Sequence, residues 1–350
     1  MGIKQILVTG GCGFIGSQFV KSVLEGDDST HIVNLDLLTY AGDPSNVGHW
    51  AKSPRYTFVK GDIRDASLVD SLVPEVEWVV NFAAESHVDR STGTRAGEFV
   101  ETNVYGTFVL LDAVRRLNPE ARFLQIGTDE VYGDVDAPGF PDETSMLEPS
   151  SPYSASKAGA DQIALSFART HGMDVRVSRC TNNYGAFQHP EKLIPLFITN
   201  ALDGLPLPLY DGGTQIRDWL RVHDHCEALQ TIMQKGRPGE IYNVGANQQP
   251  EKTNTEITSM ILHATGASES LIEHRHGLRP GHDQRYAVST DKLRGLGWEP
   301  QLDIEQGILE TVEWYKKNRD WWQARKDDSY QAYYAEHYGR SADPGSPSDS

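Results

Sequence analysis

The sequence has few cysteines, few basic residues and no long apolar run, and each shortage excludes a class of protein. Its 350 residues include three cysteines, Cys12, Cys180 and Cys226. An odd number without a CxxC pair provides no disulfide framework, so a reducing compartment, the cytoplasm, is expected. The chain carries 32 Lys and Arg against 49 Asp and Glu, a net charge of -17, which argues against nucleic acid as a partner.

Further absences concern membranes, targeting and metals. No apolar stretch reaches the roughly 18 residues that a membrane-spanning helix needs, so no membrane segment is expected. The start, MGIKQILVTGG, lacks the basic segment and long apolar run of a secretory signal. The patterns His223-x-His225 and His274-x-His276 have no accompanying ligands at familiar spacing, so no metal is expected.

Apolar strand-like runs alternate with helical patterns over the first half of the chain. Strands are predicted at 3–9, 31–35, 56–60, 78–83, 122–126 and 175–180, and helices at 14–24, 66–72, 97–117 and 152–170. Continuous apolar strands separated by helices indicate a parallel sheet covered on both faces. The predicted fold class is therefore α/β, with a Rossmann-type doubly wound parallel sheet.

After about residue 182 this alternation gives way to short elements, prolines and loops. The change predicts a smaller, discontinuous α/β substrate-binding domain that packs on the first. We expect 1–181 and about 216–248 to form the first domain, and 182–215 and 249–330 the second. The segment 339–350 is small, polar and rich in Pro and Gly, and is predicted to be disordered.

A glycine-rich turn follows the first predicted strand and opens the first helix. In TGGCGFIGS, Gly10, Gly13 and Gly16 leave room for backbone N–H groups to approach a pyrophosphate at the helix N-terminus. Asp36 ends the next strand, where a carboxylate would bind an adenosine ribose and repel a 2′-phosphate, favouring NAD over NADP. The alternative is a purely structural turn with a capping Asp.

Ligands in such sheets bind beyond the carboxyl ends of the strands. Segments 10–16, 83–90 and 127–133 each follow a predicted strand, so we expect them to meet at one crevice. Asp62 and Ile63 come just after the third strand and could contact an adenine. A helix cap at Asp62 is an equally good interpretation.

Tyr153 and Lys157 lie four residues apart near the start of a predicted helix, and therefore on one face. An ammonium beside a phenol lowers its pKa, which provides a base for an alcohol proton. Thr128 precedes the pair by 25 residues. A YxxxK pattern alone is common, but behind a nucleotide-binding fold this set is typical of extended short-chain dehydrogenases/reductases.

Two adjacent carboxylates follow the strand that precedes this helix, in the sequence GTDEVYG. Like charges at Asp129 and Glu130 repel and contribute nothing to folding. Because neighbours on a strand point to opposite faces, both can face one site only from a bend or helical turn. A solvated turn is the alternative. As a functional pair they would provide an acid and a base, if their environments separate their pKa values.

Together these segments resemble the dTDP-glucose 4,6-dehydratase family. The matching stretches run from residue 8 to about 287: VTGGCGFIGS, LTYAGDPSNV, AAESHVDRS, ETNVYGT, TDEVYG, SPYSASKAG, NNYGAFQHPEKLIPLF, QIRDWLRVHDH, YNVG and RPGHDQRYA. TDEVYG is the most specific, since related epimerases share the glycines and YxxxK but usually lack the Asp-Glu pair. The segment DGGTQIRDWLRVHDHCEAL resembles the corresponding sequence in deoxysugar enzymes of natural-product biosynthesis.

The resemblance implies conversion of dTDP-glucose to dTDP-4-keto-6-deoxyglucose and water, with NAD as cofactor. By resemblance, Tyr153 takes the C4 hydroxyl proton, while Lys157 tunes Tyr153 and holds the nicotinamide ribose. Glu130 removes the C5 proton, Asp129 protonates the departing C6 hydroxyl, and Thr128 hydrogen-bonds at C4. Two alternatives remain: another NAD-dependent nucleotide-sugar dehydratase or 4-epimerase that uses a UDP-sugar, and a non-catalytic NAD-binding regulator.

The resemblance also suggests binding residues and an assembly. The cofactor is expected against Gly10, Gly13, Phe14, Ile15, Gly16, Asp36, Thr39, Asp62, Ile63, Ala83, Ala84, Tyr153, Lys157 and Asn183. The substrate is expected against Ser86, Arg90, Thr102, Asn182, Lys192, Leu193, Pro208, Tyr210, Arg217, Asn247, Arg279 and His282. A homodimer through the helices at 97–117 and 152–170 is expected. One departure from the family, Gly127 where a Ser is common, predicts a looser turn before the carboxylates.

Overall fold

The structure, a computed structural model, describes residues 5–92, 95–276 and 283–338. Its strands are β1 Gln5–Thr9, β2 His31–Asp36, β3 Tyr56–Lys60, β4 Trp78–Asn81, β5 Arg122–Thr128, β6 Val175–Cys180, β7 Asn182–Tyr184, β8 Leu207–Tyr210, β9 Ile216–Arg217, β10 Trp219–Arg221, β11 Ile241–Val244, β12 Lys252–Thr253 and β13 Ile272–Arg275. A 7-stranded sheet has the order β11-β6-β5-β4-β1-β2-β3, and all its pairs are parallel. This confirms the predicted sheet.

The strand order of this sheet reverses between β1 and β4. From β1 the sheet continues to β2 and β3 on one side, and from β4 to β5, β6 and β11 on the other. Thr9 pairs with Asn81 across this junction, and the Thr9 hydroxyl donates to the Asn81 amide oxygen at 2.6 Å. The reversal opens a crevice beyond the carboxyl ends of β1 and β4, where open α/β sheets bind ligands.

Helices cover both faces of the sheet. The α-helices are α1 Phe14–Gly26, α2 Ala66–Leu72, α3 Val88–Ser91, α4 Ala96–Phe99, α5 Thr107–Leu117, α6 Pro152–His171, α7 Leu193–Asp203, α8 Val222–Lys235, α9 Asn254–Thr265, α10 Asp291–Arg294, α11 Ile304–Lys317, α12 Arg319–Gln323 and α13 Asp328–Tyr338. Because side chains alternate along a strand, Ile6 and Val8 pack against α1 and α8, whereas Leu7 packs against α2, α5 and α6.

The helix predicted at 97–117 contains a π-helical segment. Val100–Gly106 adopts this wider turn between α4 and α5. Asn103, within it, accepts the Glu85 backbone N–H at 2.9 Å and donates to the Ser156 hydroxyl at 2.8 Å. The segment therefore ties the loop after β4 to α6, and such segments are frequent at functional sites.

Besides the two apolar cores on the faces of the sheet, another apolar core lies in the C-terminal half of the chain, outside the sheet. It joins α7, α9, α11 and α12, with Tyr315 and Trp322 fully buried inside it. Residues 220–244 pack instead with the sheet, as do Leu293 and Trp298. None of the helices in the described part of the chain is long and apolar enough to cross a membrane.

Candidate active site

A cavity of about 500 Å³ lies beyond the carboxyl ends of β1, β4 and β5. This volume is typical of small-molecule sites, which measure roughly 300–1,000 Å³. All residues that the sequence analysis assigned to a cofactor line it: Gly10, Gly13, Phe14, Ile15, Gly16, Asp36, Thr39, Asp62, Ile63, Ala83, Ala84, Tyr153, Lys157 and Asn183. The three segments expected at one crevice therefore meet there.

The glycine-rich turn packs too closely for side chains at two positions. A Cβ at Gly16 would lie 2.3 Å from the Gly10 carbonyl oxygen. Gly10 has φ of +69°, and a Cβ there would lie 2.7 Å from the Ala83 nitrogen. Gly13 precedes α1 and provides no side-chain acceptor for the first amides of the helix. These amides and the helix dipole suit an anionic group such as a pyrophosphate.

Asp36 lines the cavity at the end of β2. Its carboxylate accepts the backbone N–H groups of Cys12 and Leu38, each at 2.8 Å. Burial raises the pKa of Asp36, and these two hydrogen bonds oppose the rise. The carboxyl therefore connects the glycine-rich turn to the loop after β2, at a position that disfavours a 2′-phosphate.

The two interpretations of Asp62 can be compared directly. The cap of α2 is Asp65, whose carboxylate accepts the N–H groups of Ser67 and Leu68. Asp62 instead accepts from the Arg64 backbone at 2.8 Å and from its guanidinium at 2.7 Å, and it lines the cavity. The helix-cap interpretation of Asp62 is therefore wrong.

The adjacent carboxylates lie on a turn of 3-10 helix, Asp129–Tyr132, directly after β5. The Thr128 hydroxyl donates to the Asp129 carboxylate at 3.3 Å and accepts the Glu130 N–H at 3.4 Å. The predicted helical turn is confirmed. Thr128 and Glu130 line the cavity, whereas Asp129 does not, and it is only 3% exposed.

The environment of Asp129 favours its protonated form. Burial raises its pKa well above the ordinary value, and the neighbouring carboxylates of Glu130 and Asp218 raise it further. Arg217 and the Thr128 hydrogen bond oppose the rise only in part. No described residue pairs with its Oδ2. Glu130 is more exposed and faces the cavity, so the two carboxyls differ in the way an acid and a base require.

Tyr153 and Lys157 lie one turn apart on α6, which Ser151 and Ser154 cap reciprocally. Both project into the cavity and are nearly buried. The Lys157 ammonium donates to the Ile126 carbonyl oxygen at 2.6 Å, and burial lowers its pKa. Chain segments that are distant in sequence thus meet at the end of β5.

The Lys157 ammonium was expected to lower the pKa of Tyr153, but this pKa is raised in the structure. Burial raises the pKa of this phenol well above its ordinary value, Glu130 raises it further, and a hydrogen bond with Thr128 opposes the rise. The Lys157 ammonium is engaged with the Ile126 carbonyl and with Asp161. In the protein alone the phenol is therefore held neutral, and its ionisation needs further positive charge at the site.

Gly127 is closely packed, which corrects the expectation of a looser turn. A Cβ there would lie 2.6 Å from the Ser178 carbonyl oxygen and 2.9 Å from the Asp161 carboxylate. Asp161 is fully buried and accepts from the Arg179 guanidinium at 2.9 Å. This buried ion pair occupies the space that a serine side chain would need.

Proteins of known family are similar to the chain along nearly all of its length. A family model described as GDP-mannose 4,6 dehydratase matches residues 7–311. A dTDP-glucose 4,6-dehydratase from Streptomyces niveus is 49% identical over 327 residues, which cover 92% of this chain and 96% of the relative. One from Shigella flexneri is 43% identical and covers 95% of this chain and 99% of the relative. The chain belongs to the dTDP-glucose 4,6-dehydratase family.

Solved structures show the same fold. A dTDP-glucose 4,6-dehydratase from Streptomyces venezuelae, with NAD and dTDP bound, matches at a TM-score of 0.88 and 47% identity, covering 92% of this chain and 100% of that chain. A UDP-glucose 4-epimerase from Thermus thermophilus, in complex with NAD, matches at a TM-score of 0.82 and 29% identity. The match covers 90% of this chain and 99% of that chain. The fold thus accommodates dehydratases and epimerases alike, so function must be argued from the residues of the site.

The residues assigned to the substrate divide into three groups in this dehydratase-family structure. Ser86, Thr102, Asn182 and Lys192 line the cavity, and the Lys192 ammonium donates to the Ser86 carbonyl oxygen at 3.1 Å. Others lie outside it: Leu193, Pro208, Tyr210, Arg217 and Asn247. Arg279, His282 and the side chain of Arg90 lie outside the described residues.

Several of the residues that do not line the cavity make packing or hydrogen-bond contacts elsewhere in the protein. Leu193 and Tyr210 pack against the C-terminal core, and Pro208 is buried in β8. Arg217 is 5% exposed, and its guanidinium donates to the carbonyl oxygens of Ile216 and Asp283. These side chains satisfy apolar contacts or backbone carbonyls within the protein, so the described structure does not place them at the cavity.

A polar group at the cavity was not predicted. The Tyr40 hydroxyl donates to the Glu191 carboxylate at 2.8 Å, and the rings of His87 and His189 lie 3.8 Å and 3.9 Å from that carboxylate. Tyr40, His189 and Glu191 all line the cavity. Tyr40 and Glu191 lie within two of the family-like stretches, which was the available signal, but their separation of 151 residues concealed the contact.

The two histidines of the pattern His223-x-His225 lie in different surroundings. His223, Asp224 and Glu227 place ligand atoms within 4.8 Å of one another at the start of α8. His225, which the sequence pairs with His223, is instead hydrogen-bonded to the Asn183 amide oxygen at 2.9 Å. Burial lowers the pKa of His225 to about 3, so this ring is neutral and positions Asn183. Chemistry without a metal stays a prediction.

Proposed function

We propose that this chain converts dTDP-glucose to dTDP-4-keto-6-deoxyglucose and water, a step of deoxysugar biosynthesis. The observation that carries the proposal is the turn Thr128–Asp129–Glu130, which places a buried acid and a cavity-facing carboxylate beside Tyr153. An epimerase needs only the oxidation and a rotated ketone, so this pair favours elimination. An enzyme that removes water across C5–C6 needs both an acid and a base.

The residues of this chain have separate tasks in the reaction. Tyr153 takes the proton of the C4 hydroxyl, and Thr128 hydrogen-bonds at C4. The resulting ketone acidifies C5, so Glu130 can remove the C5 proton. Asp129, whose pKa burial raises, gives its proton to the departing C6 hydroxyl. The C6 hydroxyl leaves with this proton as water, and the protonated Glu130 then gives a proton back to C5. Solvent finally returns a proton to Asp129 and takes one from Tyr153.

The cavity fits NAD as the resident cofactor. Gly10, Gly13 and Gly16 would hold its pyrophosphate, Asp36 its adenosine ribose, and Lys157 its nicotinamide ribose. When bound, this cofactor would supply reversible hydride chemistry for the oxidation at C4 and the reduction at C6, and a positively charged ring at the site. The high pKa of the Tyr153 phenol agrees with this requirement for positive charge.

Gly16→Ala is expected to weaken NAD binding by at least about tenfold, because the new Cβ would lie 2.3 Å from the Gly10 carbonyl oxygen. Equilibrium dialysis of the purified protein against NAD+ measures the change. Gly26→Ala is the matched control, since nothing lies within 4 Å of a Cβ there and α1 keeps its length. Equal affinity in Gly16→Ala and the natural protein would contradict a pyrophosphate at this turn.

The division into two domains agrees with this chemistry. We assign 1–181 with about 216–248 to the cofactor, and 182–215 with 249–330 to the sugar nucleotide. Supporting this division, the C-terminal core is separate from the sheet cores, and residues 182–192 reach the cavity from it. The three cysteines are buried and unpaired, which suits the reducing cytoplasm as the place of action.

The decisive experiment incubates the protein with dTDP-glucose in deuterated water and records the proton NMR spectrum of the product. We expect a 4-keto-6-deoxy sugar with deuterium at C5, because Glu130 exchanges its proton with solvent. Formation of dTDP-galactose would show a 4-epimerase instead. Turnover of UDP-glucose but not dTDP-glucose would overturn the assignment of the nucleotide.

We also propose that the protein is a homodimer through the helical segments 97–117 and 152–170, which include α5 and most of α6. Tyr105 and Phe108 are 51% and 41% exposed, and Phe108 contacts Phe167 of α6 with ring centroids 6.0 Å apart. Phe108→Asp is expected to give a monomer by light scattering, because a carboxylate in a buried interface is costly. Met146→Asp, at a side chain 77% exposed on a loop, should leave the dimer intact. A monomeric natural protein would contradict the proposal.

A further inference from the structure

The C-terminal segment returns to the cofactor end of the sheet. Arg325, after α12, donates to the carboxylate of Asp43, to the Ser45 hydroxyl at 3.3 Å and to the Asn46 amide oxygen at 3.4 Å. Its side chain is 13% exposed, and its guanidinium lies 3.8 Å from the centroid of the Trp321 ring. The Trp321 indole N–H donates to the same Asn46 oxygen at 3.0 Å.

Asn46 transmits this contact to the glycine-rich turn. It is 1% exposed, and its amide N–H donates to the Cys12 carbonyl oxygen at 2.8 Å. The Asp43 backbone N–H donates to the same oxygen at 3.0 Å. Cys12 lies between Gly11 and Gly13, and its own N–H donates to Asp36. One continuous hydrogen-bonded chain therefore joins Arg325 to the turn expected to hold the pyrophosphate.

The same segment also supports a second wall of the cavity. Trp321 contacts Phe187 edge to face with ring centroids 5.5 Å apart, and the Tyr315 hydroxyl donates to the Gln188 carbonyl oxygen at 2.5 Å. Gln188 and the next residue, His189, line the cavity. Residues 315–325 thus hold both loop 41–47, whose end forms the first turn of a 3-10 helix, and loop 185–192.

We propose that Arg325 and Trp321 are positioning residues that keep the cofactor bound, acting through Asn46 and the Cys12 carbonyl on the glycine-rich turn. This inference rests on the proposed NAD site. The contacts involve residues beyond 311, where the match to the family model ends. Arg325 and Trp321 each donate a hydrogen bond to the Asn46 amide oxygen, and the Asn46 amide nitrogen donates to the Cys12 carbonyl of the glycine-rich turn. Loss of these bonds is therefore expected to change cofactor retention and not the catalytic acid and base.

The test compares the release rate of NAD+ from loaded protein, followed after dilution by separating bound from free dinucleotide. Arg325→Ala is expected to release NAD+ about tenfold faster, because charge-assisted hydrogen bonds are lost from the loop. Arg325→Lys should restore most of the retention, since an ammonium still pairs with Asp43. At saturating NAD+ the kcat of Arg325→Ala should equal that of the natural protein.

Arg319→Ala is the matched control. Arg319 lies on α12 of the same segment but pairs with Asp203, away from loop 41–47. Equal release from Arg325→Ala and the natural protein would overturn the inference, as would equally fast release from Arg319→Ala, which would indicate general loosening. Asn46→Ala combined with Arg325→Ala should be less than additive, because both act in one chain. A natural protein that binds no NAD+ would overturn the proposed function as well.

Discussion

Replacing Asp129 by asparagine is expected to stop elimination while C4 oxidation continues. The amide has the shape of the protonated carboxyl but cannot give its proton to the departing C6 hydroxyl. Loss of a general acid of this kind lowers turnover by roughly 10²–10⁴-fold. With dTDP-glucose added, the variant should accumulate the ultraviolet absorbance of reduced nicotinamide and form almost no 4-keto-6-deoxy product. Full turnover in this variant would show that another group protonates the C6 hydroxyl.

The same substitution also tests the protonation state of Asp129. Its pKa in the folded protein lies well above the ordinary value of 3.8, so the folded state binds the proton more tightly than the unfolded chain. The contribution of Asp129 to stability is therefore most favourable at low pH, and it falls as the pH rises from 3.8 through the folded pKa. Asp129→Asn removes this loss, so its Tm should exceed that of the natural protein increasingly toward alkaline pH. The opposite trend would indicate an ionised, stabilising carboxylate.

Replacing Tyr153 by phenylalanine is expected to stop the reaction one step earlier. Without the phenol oxygen no group takes the C4 proton, so neither the ketone nor reduced nicotinamide forms. The expected loss of turnover is again about 10²–10⁴-fold, as for other general bases. Deuterium should not enter C5, because that exchange requires the ketone. The two variants are distinguished by one spectrum, since only Asp129→Asn develops the absorbance of reduced nicotinamide.

Tyr132→Phe is the matched control for this prediction. Tyr132 is buried three residues beyond Asp129, and its hydroxyl contacts Asn243 and Arg179 rather than the cavity. Its loss should cost about 1 kcal/mol of folding free energy and leave turnover largely unchanged. Exchange at C5 that persists in Tyr153→Phe would contradict the role of Tyr153 as the base.

Most of the sheet could be predicted because its signals are local. Strands Tyr56–Lys60 and Val175–Cys180 and helix α2 have the predicted bounds, since apolar runs, caps and glycines lie within each segment. The glycine-rich turn and the Tyr153/Lys157 pair could be placed for the same reason. Parallel strands bring their carboxyl ends to one edge, so the meeting of β1, β4 and β5 also followed from the pattern.

Contacts between distant segments could not be predicted in this way. Arg325 and Asp43 are separated by 282 residues, and no periodicity links them. Arg217 was expected at the substrate by resemblance, and its guanidinium donates to the Asp283 carbonyl oxygen, a contact that no local pattern predicts. A side chain acquires such partners only when the chain packs, and each partner decides whether its charge is available.

By itself the sequence determined the α/β class, the crevice and the residue types of the acid, the bases and the glycine-rich turn, because strand alternation and helix spacing act over a few residues. Only the tertiary structure decided in which direction the pKa values move. Burial, Glu130 and Asp218 together raise the pKa of Asp129, and burial and Glu130 raise the pKa of Tyr153. Desolvation and neighbouring charge depend on groups that folding brings together, and adjacency in sequence does not specify them.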